Sequence, residues 1–136
     1  MIKPIMRDVM FLSQPSEAAS KADQQVITDL VDTLNAHLDG CVGMAANMIG
    51  VRKRIFVVRM GQISMPMVNP VIISKSGEYE TEEGCLSLLG VRKCKRWKNI
   101  EVSYQDAAFL PRRQIYSGWI AQIIQHEIDH CNGVII

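Results

Sequence analysis

From Lys21 to Asp39 the apolar residues Val26, Ile27, Leu30, Val31, Leu34 and Leu38 recur at helical spacing, which predicts a helix with one buried stripe. Ser20 stands at its N-cap with Asp23 three residues on, and Gly40 supplies the stop. His37 falls in its last turn, where a solvated side chain near the C-terminal dipole is expected. The opening stretch as far as Pro15 has no usable periodicity. Cys41 to Gly50 is small and apolar, either a short buried segment or a place where the backbone lies close to something else. Arg54 to Met60 is β-branched and reads as a strand. Met67 to Ser74, interrupted by Pro70, and Gly77 to Thr81 are weaker strand candidates. Ile100 to Tyr104 alternates apolar with polar, as a strand with one face on a core does. A last helix is expected from about Ser117 to Asn132, closed by Gly133. Strands bracketed by two helices give an α+β pattern rather than repeated βαβ units, and no repeat or linker divides residues 1–136.

Composition narrows the class. Of 136 residues, 48% are apolar and 21% charged, which argues against disorder, and the formal net charge of +1 gives no footprint of nucleic-acid binding. No apolar run reaches the roughly 18 residues that would span a bilayer. Charge and Pro4 break Met1 to Asp8 before a secretory core could form. A soluble, cytoplasmic protein with no membrane partner is expected. Four cysteines (Cys41, Cys85, Cys94 and Cys131) in a reducing compartment are core residues, ligands or nucleophiles rather than disulfides.

The chemistry lies in the last helix, in Gln125-His126-Glu127-Ile128-Asp129-His130. Its H-E-x-x-H pattern puts two imidazoles about one turn apart on one face, where both can reach one metal ion. Glu127 projects to the side, placed to accept a proton from water at the metal without being a ligand. A solvated polar face is the alternative. It fits poorly with Trp119, Ile120, Ile123, Ile124 and Ile128, which make the helix apolar around most of its circumference.

Only six residues follow His130, so a third ligand comes from upstream. His37 is one candidate. Cys85, in Glu82-Glu83-Gly84-Cys85-Leu86-Ser87, is the better one, because Gly84 allows close approach and a thiolate is a strong ligand. A Cys/His/His set leaves a fourth position open for water, as catalytic sites do.

Glu83-Gly84-Cys85-Leu86-Ser87 together with Gln125-His126-Glu127-Ile128-Asp129-His130 resembles the peptide deformylases, and Cys41-Val42-Gly43-Met44-Ala45-Ala46-Asn47-Met48 corresponds to that family's G-x-G-x-A-A-x-Q block. The resemblance implies antiparallel β-sheets around a central metal-binding helix, with an N-terminal helix. It implies a metallohydrolase that removes the formyl group from formyl-methionyl nascent peptides. Metal ligands would be Cys85, His126 and His130, with Glu127 as general acid/base. The metal would be ferrous iron, Fe(2+), with Zn(2+), Ni(2+) or Co(2+) able to substitute. The oxyanion would be held by the metal, the Leu86 N–H and the amide ending the first block. Gly43 would hydrogen-bond the peptide, Arg92 would lie near it, and Val42, Trp119 and Ile123 would line the methionine pocket.

Three departures stand out. Met48 replaces the family's glutamine and offers no N–H, a loss worth about 10²–10³ in rate by analogy with other oxyanion holes. Cys41 replaces the block's first glycine. The chain stops soon after the metal helix, without the extension by which some deformylases dock on the ribosome, so only transient ribosome proximity is expected. A deformylase-like paralogue with weak or no turnover is the second reading. A general zinc endopeptidase is a third, disfavoured by the thiolate ligand.

Overall fold

The structure is a computed structural model that describes residues 1–84 and 90–134. A single turn of helix, α1 (Val9–Leu12), is followed by a 3-10 turn (Lys21–Asp23) leading into α2 (Gln24–Asn35). Five strands follow: β1 (Gly43–Ala45), β2 (Ile55–Met60), β3 (Ile63–Gly84), β4 (Val91–Gln105) and β5 (Pro111–Ser117). The last helix is α3 (Gly118–Cys131). All strand pairs are antiparallel and the order β1-β2-β3-β4-β5 is that of the chain, giving one sheet with a helix on each face.

Strand β2 shows why its apolar run is unbroken. Ile55 and Val57 pack toward α2 with Ile27, Leu30, Leu34 and Val68, whereas Phe56 and Val58 pack toward α3 with Ile123, Ile124, Ile128 and Val102. A strand buried on both faces needs apolar side chains at every position.

Helix α2 is shorter than the stripe suggested. It begins after the 3-10 turn, where Ser20 N–H donates to Asp23 Oδ2 at 2.9 Å, and it ends at Asn35. There the His37 ring bonds the Thr33 carbonyl at 2.8 Å, and the His37 amide turns back to Leu34 at 2.9 Å. Leu38 is therefore exposed rather than part of the stripe. The two weak strand candidates join into the single long β3. Pro70 does not break it but sits within the register shift between Val68 and Val71, at a bulge where no ladder donor is needed. Asn69 takes a left-handed φ of 49° there and clasps Ala19 through both side-chain amide atoms. Residues 91–99 extend the Ile100–Tyr104 strand, and β5 has no counterpart among the expected elements.

Helix α3 fulfils its expectation closely. Gly133, at φ 76°, closes it, and an added Cβ would lie 2.6 Å from the Ser13 carbonyl, so glycine is required for both conformation and space. No helix among the described residues is long and apolar enough to cross a membrane.

Candidate active site

Helix α3 runs behind the sheet with most of its surface covered, and it carries His126, Glu127 and His130 inward. The Nε2 atoms of His126 and His130 converge to 3.1 Å. Burial, then the neighbouring His126, drives the His130 pKa down to about 3, so its ring is neutral near pH 7. Glu127 is 3% exposed and its Oε1 has no hydrogen-bond partner among the described residues. Burial pushes its carboxyl up to about 7.

His126 is aimed from behind. Its Nδ1 donates to Glu83 Oε1 at 2.7 Å, which leaves Nε2 with its lone pair facing the site. Glu83 lies near the end of β3, and Arg96, on β4 and paired in register with Tyr79, grips it through Nη2 at 2.7 Å and Nε at 3.0 Å. Arg96 also donates to Asp129 Oδ2 at 2.7 Å. Burial opposes the Glu83 charge, but hydrogen bonds from His126 and Arg96 prevail and hold the carboxyl at about 2. Gln122 Nε2 donates to Glu83 Oε2 at 2.9 Å.

A cleft of about 670 Å³ opens over this centre, lined in part by Val42, Gly43, Met48, Gly84, Trp119 and Ile123 together with His126 and Glu127. Gly43 lets the β1 backbone lie against α3, because a Cβ there would meet Ile123 Cγ2 at 2.8 Å and Glu127 Oε2 at 2.9 Å. Asn47 Nδ2, in the 3-10 turn after β1, donates to the His130 carbonyl at 3.0 Å and ties that turn to the helix.

The expected residues fall as follows. His126, Glu127, Val42, Gly43, Trp119 and Ile123 come together in one cleft, with Val42 (38% exposed) and Trp119 (61% exposed) at its rim. His130 reaches the centre from one helical turn beyond. Met48 is 1% exposed, packed with Leu30, Leu34 and Val68, and still lines the cleft. Cys85 and Leu86 lie outside the described residues, as does Ser87; the strand leading to them ends at Gly84, on the cleft. Arg92 is exposed on β4 opposite Glu83 and is not among the described residues lining the cleft. His37, bonded to Thr33, is not among them either. Arg7, which also lines the cleft, Glu83 as an orienting group, Arg96 and Gln122 were not anticipated. The one available signal was the carboxylate two positions before Cys85.

Two imidazole nitrogens bound tetrahedrally to one cation at the usual lengths stand about 3.3 Å apart, close to the separation found, so the histidine pair fits a metal ion. The unpaired, buried Glu127 oxygen beside it fits a group that handles a proton from water.

Known proteins agree with this arrangement. The sequence model of the polypeptide deformylase family matches residues 3–136. A peptide deformylase of Clostridium beijerinckii is 58% identical over 136 residues, covering 100% of both chains. The crystal structure of a peptide deformylase from Legionella pneumophila superposes with a TM-score of 0.89 at 32% identity, covering 99% of this chain and 83% of that one. The peptide deformylase of Thermotoga maritima gives 0.89 at 30% identity, covering 99% and 95%. With the family's sequence model matched along residues 3–136 and a sheet-and-helix frame in common with solved members, this chain belongs to the polypeptide deformylase family, a family of metal-dependent hydrolases.

Proposed function

We propose that this protein removes the formyl group from the N-terminus of formyl-methionyl nascent peptides in the cytoplasm, with a divalent metal ion held by Cys85, His126 and His130. The observation that carries the reading is the pair of Nε2 atoms at 3.1 Å beside the unbonded Oε1 of Glu127. A cation held by one thiolate and two neutral imidazoles acidifies water and polarises a carbonyl oxygen. Fe(2+) is the proposed native ion, with Zn(2+), Ni(2+) or Co(2+) able to take its place.

The chain's own residues supply the rest. Glu127, its carboxyl pushed up to about 7 by burial, takes the proton from the attacking water at Oε1 and returns it to the departing amine. Glu83 keeps the His126 ring in the tautomer that carries its proton on Nδ1 and its lone pair on Nε2. The Gly43 backbone receives the peptide, and Val42, Trp119 and Ile123 wall the methionine side chain. Leu86 gives an N–H to the oxyanion, and Met48, with no N–H, gives none. Arg92 stands beside the emerging peptide. Transient proximity to the ribosome is part of this reading.

The test is formate release from a formyl-Met peptide by iron-loaded protein prepared without air, beside Glu127→Ala. Release by the first and none by the second is expected. Formate release by the iron-loaded protein no greater than by Glu127→Ala would return it to the second reading, a paralogue that keeps the metal without useful turnover.

A further inference from the structure

The Glu83 carboxylate is saturated. Its Oε1 accepts from Arg96 Nη2 and His126 Nδ1, each at 2.7 Å, and its Oε2 accepts from Arg96 Nε at 3.0 Å and Gln122 Nε2 at 2.9 Å. An ionised carboxylate offers about four acceptor positions, so every one is filled and each donor fixes part of its orientation. Arg96 is a rigid fork and fixes the plane of the carboxylate. The Gln122 amide is a different kind of partner, because it can turn over. Turned, it would aim its own oxygen at Glu83, an acceptor against an acceptor.

One neighbouring group prevents this. The Tyr79 hydroxyl, on β3, donates to Gln122 Oε1 at 3.1 Å. With Oε1 held by that donor, Nε2 is left to face Glu83. Tyr79 is the cross-strand partner of Arg96, so the sheet presents the hydroxyl to Gln122 and the guanidinium to Glu83 from neighbouring positions on one face. Burial, then the Glu83 charge, raises the Tyr79 pKa, so the phenol keeps its proton and remains a donor.

We propose that Tyr79, which is not among the described residues lining the cleft, is a positioning residue for the metal site, acting through Gln122 on Glu83 and through Glu83 on the His126 ring. The inference rests on the metal site of the proposed function and adds to it an outer layer contributed by the sheet.

The experiment measures metal affinity by chelator competition with Co(2+) or Zn(2+), and independently the exchange rate of the His126 Nδ1 proton by NMR in the metal-free protein. Tyr79→Phe removes only the hydroxyl and is expected to weaken metal binding by about three- to tenfold, the worth of one neutral hydrogen bond. It should also speed exchange of that proton. Gln122→Met, similar in shape but without the amide, is expected to weaken binding by about ten- to a hundredfold. In the double variant the Tyr79 change should add nothing, because the hydroxyl acts only through the amide. Tyr116→Phe, which removes a phenol elsewhere in the sheet, should leave both readouts unchanged. Tyr79→Phe indistinguishable from wild type in both readouts would overturn the inference, as would a Tyr79 loss that adds in full to that of Gln122→Met. Wild-type protein that takes up no metal would instead overturn the underlying reading, and the inference with it.

Discussion

Glu83 and His126, separated by 43 residues of chain, are joined by a 2.7 Å hydrogen bond that orients the imidazole lining the cleft. The same carboxylate neutralises Arg96 in a buried pair whose side chains are 8% and 5% exposed. Glu83→Gln should therefore act twice. Removing one partner of a buried pair typically costs about 3–5 kcal/mol, so thermal denaturation should begin well below wild type. Metal affinity, read by chelator competition, should fall about ten- to a hundredfold. Unchanged affinity would mean that some other contact orients the ring.

Gly43→Ala would place a methyl group 2.8 Å from Ile123 Cγ2 and 2.9 Å from Glu127 Oε2. Overpacking of this kind costs about 1–3 kcal/mol. Because the crowded atoms include the proton-handling carboxylate, kcat should fall further than stability alone would explain. Formate-release kinetics on folded, metal-loaded protein would separate the two effects.

Met48→Gln tests the missing donor. The side chain lines the cleft while being packed in the α2 layer, so an added amide can reach inward at some cost in burial. The expected result is a higher kcat, by up to about 10²–10³ if an oxyanion donor is limiting. A lower melting temperature should accompany it. An unchanged kcat would show that the role is already filled.

Cys85→Ser should release the metal, whereas Cys94→Ser should retain it. Cys94 lines a second cavity with Lys93, Trp97 and Asp129, not the cleft, and burial raises its thiol to about 11. Metal content of the two purified variants decides the matter, and equal loss from both would remove Cys85 as the third ligand. Air should inactivate the ferrous form by oxidising both the iron and the ligating thiolate.

Acid should loosen the turn between β4 and β5 as Asp106 is protonated. Its carboxylate accepts from the Ala108 and Leu110 amides and from Arg112 Nε, and the Arg112 bond, chiefly, lowers its pKa below the ordinary 3.8. A depressed native pKa means that the contribution is whole above the ordinary carboxylate range and is lost as pH falls through the lowered value. Amide exchange at Ala108 and Leu110 should quicken only there. Asp106→Ala should quicken it at every pH.

The two helices and the H-E-x-x-H face were legible because periodicity records which side of an element is buried. Strand β5 was not, since at this sheet edge Ile115 points to solvent and only Tyr116 packs against the core. Pro70 misled because a bulge, which depends on the partner strand, removes the need for its missing N–H. Arg96 was hidden for a related reason. It stands among Lys93, Lys95 and Lys98 with nothing local to distinguish it, and only the β3–β4 register puts it, rather than a lysine, beneath the metal helix.

The distance along the chain between Glu83 and His126 also sets an order of events during synthesis. A growing chain that has emerged through β5 already contains Glu83 and Arg96, yet not the His126, Gln122 and Asp129 side chains of α3 that complete their hydrogen bonds. Contacts so remote in sequence form late in folding, after the loop between them has closed. A member of the machinery that trims new proteins must therefore itself be translated through α3 before it can trim any other.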